Sequence, residues 1–140
     1  MRVHLYERFV EDGRPPAVAE TAAALGLEEE VAAEAYRRLA EAHVIVLEPE
    51  TTTVRMAAPL SAVPTSFRVE TERGAFFGNC IWDGLGAVAM LGRNGRVVTR
   101  CPDCREPLVF TVRDGELEPL DAVVHYAVPA ARWWDDIGFS

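Results

Sequence analysis

Cys80-Ile81-Trp82-Asp83-Gly84-Leu85-Gly86-Ala87-Val88-Ala89-Met90-Leu91-Gly92 is the stretch on which the fold turns. Ile81, Leu85, Val88, Ala89 and Leu91 recur at helical spacing and Gly92 stands just beyond them, so the run predicts a buried helix that Cys80 opens. Around it the pattern is that of strands. Residues 67–71 alternate ahead of the helix, and 96–100, 108–113, 116–118 and 122–128 read as strands behind it, with Asp114-Gly115 a hairpin signal. A helix set among hairpin-connected strands predicts an α+β unit with a small antiparallel sheet, spanning residues 61–140.

Ahead of this unit, residues 1–60 read as a helical one. Val3, Tyr6, Phe9 and Val10 recur at helical spacing, Pro15-Pro16 punctuates, and 17–25 forms an alanine-rich helix stopped by Gly26. A longer helix over 28–42 places Val31, Ala35, Leu39 and Ala42 on one face, with Glu28, Glu29 and Glu30 at the end where the helix dipole favours negative charge. Strands at 44–47 and 53–56 around Pro49 would complete a winged-helix-like unit, and 59–64 would connect it to the second part. The second helix of such a motif normally enters the DNA major groove. Here it carries Arg37 and Arg38 against Glu28, Glu29, Glu30, Glu34 and Glu41, which predicts a packing role instead.

The whole chain has the same bias. Its formal net charge of −8 opposes nucleic acid and anionic membrane surfaces, so neither is expected as a partner. The 140 residues suit one ordinary core, and no apolar run approaches the roughly 20 residues of a membrane span. The N-terminus lacks the apolar run and small-residue cleavage site of a signal peptide, which predicts a cytoplasmic protein. Three cysteines in such a compartment are thiols or metal ligands sooner than a disulfide framework.

Cys80 falls at the start of the predicted helix, where N–H groups and the dipole lower a thiol pKa, and Asp83 lies near enough to return to the same helix end. Spacing alone favours the plainer alternative, in which Asp83 caps the helix and Cys80 is a small buried hydrophobe. Cys101-Pro102-Asp103-Cys104 has the C-x-x-C spacing of half a zinc knuckle, and Cys80 and His125 are the donors in the same region that would complete it. A redox pair and a turn with an incidental Cys104 are the other readings. His125, in a predicted strand, is assigned no role, and Trp82, Trp133 and Trp134 read as core or interface residues, with Trp82 able to wall an apolar pocket beside Cys80.

Asn79-Cys80-Ile81-Trp82-Asp83-Gly84-Leu85 resembles the segment of the organomercurial (alkylmercury) lyases in which a nucleophilic cysteine is followed three residues later by the catalytic aspartate. Val97-Val98-Thr99-Arg100-Cys101 and Pro107-Leu108-Val109-Phe110-Thr111-Val112 are similar to the family's next strand pair, with Cys101 matching a cysteine usually considered structural. Val124-His125-Tyr126-Ala127-Val128-Pro129 is similar to the strand leading toward the second catalytic cysteine. The resemblance covers residues 76–140 closely, and the family also carries a winged-helix-like N-terminal unit.

What the resemblance implies is protonolysis of a carbon–mercury bond. Cys80 would hold the mercury, a soft cation that prefers thiolates, and Asp83 would deliver the proton to carbon, with no resident cofactor required and mercury(II) as product. In the family a second thiol strengthens the donation and receives the metal. Aligned without a gap from Pro129, Ser140 takes that cysteine's place; with a one-residue shift the chain stops one residue before it. The resemblance therefore implies a lyase-like unit incomplete at its C-terminus, active as a carbon–mercury lyase when a second thiol is supplied. The alternatives are a non-catalytic soft-metal-binding or sensor protein of the same fold and a relative turned to another small substrate. Zinc at Cys101 and Cys104 is the further metal expectation; the accepted organic group and the oligomeric state are left open.

Overall fold

A computed structural model of the chain describes residues 1–135 and 137. Three helices open it: α1 (Arg2–Asp12), α2 (Val18–Leu25) and α3 (Glu29–Glu41). α1 and α2 each stop at a glycine in the left-handed region, Gly13 at φ 71° and Gly26 at φ 64°, which a side chain rarely adopts. At the start of α2 the Glu20 carboxylate accepts the Ala17 N–H at 2.7 Å and pairs with Arg14.

The buried face of α3 is not the one its periodicity suggests. Ala32, Ala33 and Tyr36 face inward, whereas Val31 is 51% exposed and Ala42 is exposed. Tyr36 decides this orientation: its hydroxyl donates to the Pro16 carbonyl at 3.0 Å and lies 2.8 Å from the Thr21 hydroxyl, deep under α2. An aromatic ring with a satisfied polar tip outweighs a valine in fixing which stripe packs.

An eight-stranded antiparallel sheet follows, in the order β1-β2-β3-β5-β4-β6-β7-β8. Its strands are β1 (Ile45–Leu47), β2 (Val54–Ala57), β3 (Leu60–Ser61), β4 (Phe67–Thr71), β5 (Gly74–Gly78), β6 (Gly95–Arg100), β7 (Pro107–Arg113) and β8 (Glu116–Leu117). The α+β class is as expected. The expected connector at 59–64 contains a strand, since Met56 and Ala57 of β2 pair with Ser61 and Leu60, and Ser61 pairs onward with Phe77 of β5. One sheet thus runs from the N-terminal hairpin to β8, and one core joins Leu5, Phe9, Tyr36 and Ile45 to Val69, Val88, Val97 and Phe110. β5 is a further strand absent from the sequence reading; Ala75, Phe76 and Phe77 are bracketed by Gly74 and Gly78, residues that read as breakers.

The expected strand over 122–128 does not form. β8 has only two residues, and Pro119 behind it has no N–H with which to extend the ladder, so the alternating residues that follow find no neighbour. Val123 is 93% exposed as a result. The chain instead reaches a short 3-10 turn, Ala130–Asp135, where Trp134 stacks on His43 at a ring separation of 3.9 Å. Trp134 and Ile137 line a cavity against Ile45, Leu47 and Pro49 of the N-terminal region. Among the described residues no helix is long and apolar enough to cross a membrane.

Helix α4 (Ile81–Leu91) lies on the sheet beside β4, β5 and β6. Two glycines permit the close approach. A Cβ on Gly78 would stand 2.6 Å from the Gly84 nitrogen, and a Cβ on Gly84 would stand 2.8 Å from Val97 Cγ1. The end of β5 and the first turn of α4 are therefore pressed together, and that junction holds Cys80 and Asp83, the candidate site residues.

Candidate active site

Cys80 is the N-cap of α4, in extended conformation at φ −141° and ψ −177°, and its carbonyl accepts the Gly84 N–H at 2.9 Å. Asp83, three residues on, is half-buried with it. The thiol of Cys80 points at Asp83 Oδ2 across 3.7 Å. The backbone N–H groups of Trp82 and Asp83 favour the Cys80 thiolate, and Asn79 and Cys80 favour the ionised Asp83 carboxylate. The Asn79 amide in turn contacts the Met56 sulfur.

Asp83 stands at the N3 position of α4, where a carboxylate lies near the exposed N–H groups of the helix start. The N3 position sets the Asp83 carboxylate at the helix start and beside the Cys80 thiol. The comparison with Glu20, the N3 carboxylate of α2, isolates what is special. Glu20 is exposed and hydrogen-bonded by Arg14, which holds its carboxyl down at about 2. Asp83 is raised above the usual carboxylate range by burial, which outweighs the hydrogen bonds from Asn79 and Cys80, and no cationic side chain is among the groups acting on it.

The Cys80 thiol departs from the expectation of a lowered pKa. Burial raises it, the neighbouring Asp83 charge raises it further, and the N–H groups of Asp83 and Trp82 do not compensate. A helix N-terminus stabilises a thiolate only to the extent that water or a cation shares the work; here a carboxylate stands in the way. Both members of the pair thus hold a proton more readily than usual.

Trp82 is 66% exposed on the outer side of the helix start. Tyr126, which the sequence reading passed over, lies close enough to feel Cys80 and Asp83: burial raises its phenol first, and the charges of those two residues add to it. It packs against Trp133 at a ring separation of 5.3 Å, and the Trp133 indole donates to the Val128 carbonyl at 2.8 Å. Its only sequence signal was a place in a supposed strand, where it would have counted as packing. His125 beside it is exposed.

Cys101 and Cys104 occupy the turn between β6 and β7, away from α4's first turn in the chain; Cys101 is half-buried and Cys104 exposed. Among the described residues, no group of three or more His, Cys, Asp or Glu side chains is placed to hold a metal, so Cys80 and His125 do not complete a four-ligand zinc site with this pair. Ser140, the position matched to the second catalytic cysteine, lies outside the described residues, as do Asp136, Gly138 and Phe139.

Comparison with known proteins bears on the same region. No curated protein matches the chain. Among solved structures, the mercury-bound form of MerB2 superposes with a TM-score of 0.65 at 22% identity, over 84% of this chain and 58% of that one, a likeness of fold. This chain thus spans little more than half of that protein's length. The family model described as alkylmercury lyase matches residues 60–139, which hold β3 to β8, α4 and the Cys80 and Asp83 pair. That match takes in more than half of the sequence, and the chain belongs to the alkylmercury lyase family.

Proposed function

We propose that the chain cleaves carbon–mercury bonds by protonolysis, with Cys80 as the mercury-binding thiolate and Asp83 as the proton donor. The observation that carries this reading is the 3.7 Å approach of the Cys80 thiol to Asp83 Oδ2 at a half-buried helix start. An organomercury cation taken up by the sulfur displaces the thiol proton, which passes to the carboxylate along that contact. Burial raises the affinity of Asp83 for a proton above that of an ordinary carboxylate, which favours it as the acceptor of that proton. The carboxylic acid then protonates the mercury-bound carbon; the electron pair of the carbon–mercury bond becomes the new C–H bond, and mercury(II) stays on Cys80. A second thiol, from solution or from further protein, completes the coordination of the product, because mercury(II) favours sulfur donors.

The substrate is a small organometallic cation, and nucleic acid is not a partner. Arg37, on the helix that would enter a groove, is bound to Glu30 at 2.9 Å and to Glu34 at 3.2 Å.

Asp83→Asn tests the division of labour, since it keeps the size and the accepting oxygen of the side chain but not its proton relay. With a small-molecule thiol in excess, release of benzene from a phenylmercury salt should fall at least a hundredfold, within the range of general-acid contributions. Binding of the salt to Cys80 should survive. Cys80→Ser should lose both. Equal benzene release by Asp83→Asn and its parent would remove Asp83 as donor, and equal release by Cys80→Ser would remove Cys80 as the mercury ligand.

A further inference from the structure

Thr21, Ser61 and Thr99 are the buried polar residues among those described, and two of them are satisfied. The Thr21 and Tyr36 hydroxyls lie 2.8 Å apart, and the Ser61 hydroxyl donates to the Val63 carbonyl at 2.8 Å. Thr99 is 7% exposed, and its hydroxyl has no hydrogen-bond partner among the described residues. An unpaired buried hydroxyl destabilises a fold, and a valine of the same shape would avoid that cost. Thr99 lies near the end of β6, on the face that Val97 turns to α4, because side chains alternate along a strand. A Cβ on Gly95 would stand 3.1 Å from Val88 Cγ1, and one on Gly84 would stand 2.8 Å from Val97 Cγ1. Helix and strand therefore run in opposite directions, with Val88 over Gly95 and Gly84 over Val97. One more turn of helix, about 6 Å, matches two more residues of strand, about 7 Å, and sets Thr99 against the helix start that carries Cys80.

We infer that Thr99 is a positioning residue for bound mercury, its hydroxyl donating a hydrogen bond to the Cys80 sulfur once mercury has replaced the thiol proton. The inference rests on Cys80 as the mercury ligand of the proposed reaction. In the thiol form Cys80 directs its proton at Asp83 Oδ2, and a thiol sulfur is a weak acceptor, so the Thr99 hydroxyl gains little from it. Mercury uptake sends that proton to Asp83 and leaves an anionic sulfur, to which a hydroxyl bond is charge-assisted and stronger. A threonine O–H turns freely about its C–O bond to suit the new acceptor. The hydroxyl that is unpaired beside the thiol is thus paired beside the thiolate, and uptake is favoured by the bond and by relief of an unsatisfied group. It acts on the metal through the ligating sulfur, as outer hydrogen bonds to metal ligands do.

The test is retention of a phenylmercury salt by the full chain in an Asp83→Asn background, which separates binding from turnover. The readout is the glutathione concentration that removes half of what Cys80 holds, the share at Cys80 being the share lost in Cys80→Ser. Thr99→Val should release it at about one tenth of the parent's glutathione, within the range of outer partners of metal ligands, while Thr99→Ser keeps the hydroxyl and should stay within about twofold of the parent. The urea midpoint of Thr99→Val should be no lower than the parent's, since the hydroxyl it removes has no partner in the thiol form. Retention by Thr99→Val equal to the parent's would overturn the inference. A serine variant as weak as the valine one would do the same, because the side chain's shape and not its hydroxyl would then matter. So would a lowered urea midpoint in Thr99→Val, which would mean that the hydroxyl already has a partner. Retention by Cys80→Ser equal to its parent's would remove the proposed reaction together with this inference, whereas Thr99 variants that merely match the parent leave that reaction standing.

Discussion

The two thiols with shifted titration differ in what surrounds them, and that difference reverses an expectation drawn from position alone. Cys80 has the helix start, which should favour its thiolate, but it is half-buried against Asp83, and burial with a carboxylate neighbour raises its pKa. Cys101 has no helix, yet the N–H groups of Cys104 and Asp103 and the Cys104 thiol lower its pKa. Alkylation by iodoacetamide follows the thiolate fraction. At pH 7 Cys101 should therefore react faster than Cys80, in the parent and in Cys104→Ser, as read by peptide mass mapping over time. Raising the pH should close the gap, because the raised thiol of Cys80 ionises later than the lowered one of Cys101. The sign is specific: a Cys80 that alkylates first at neutral pH would mean that the helix dipole outweighs burial at this site. A resting thiol suits the proposed chemistry, since the proton that mercury displaces is the one Asp83 needs.

At the scale of elements, α4 was legible in the sequence because Ile81, Leu85, Val88 and Leu91 mark its periodicity and Gly92 its end. The turn of β7 into β8 was legible too, since Asp114 and Gly115 both adopt positive φ, at 53° and 86°, as a two-residue hairpin of that composition requires. What pattern could not supply was partnership. Residues 122–128 alternate as a strand would, but Pro119 ends the ladder before them; Ser61 carries no strand signal, but Phe77 stands opposite it and completes the pairing. The same limit hid Tyr126 from the site. Glycine was read as punctuation at Gly78 and as an ordinary helix residue at Gly84, whereas their use is contact. Gly84→Ala should cost about 1–3 kcal/mol by overpacking Val97, whose side chain can move in part. Gly78→Ala should cost more, because the atom it meets is the Gly84 backbone nitrogen, which can yield only if α4 lifts and takes Asp83 with it. Urea unfolding of both variants would order them, and benzene release should suffer more from Gly78→Ala than from Gly84→Ala at temperatures where each is folded.

Over the whole molecule, the N-terminal helices share the core and the sheet of the lyase-like part. Tyr6 of α1 donates to the Ala58 carbonyl at 2.8 Å, and β3 stitches the first hairpin to β5, which leads directly into Cys80. Residues following β8 return over the same N-terminal region through Trp134 and His43. The helical unit has its buried faces committed to the shared core, and its outer surface is mainly acidic. α3 presents Glu29, Glu30, Glu34 and Glu41 with Arg37 and Arg38, and Arg37 is engaged by Glu30 and Glu34. With a net charge of −8 behind it, that surface repels a phosphate backbone, and no set of free cations on α3 offsets the repulsion by releasing counterions. The full chain should accordingly show no affinity for duplex DNA tighter than about 100 µM at physiological salt, the weak limit of nonspecific binding, with or without mercury present. Fluorescence anisotropy of a labelled duplex across a salt series would measure it. Binding that is tight at low salt and falls steeply as salt rises would mean that Arg37 and Arg38 leave their acidic neighbours to reach phosphate. In that case the N-terminal helices would be a DNA-reading unit, and the protein a metal sensor in place of a lyase.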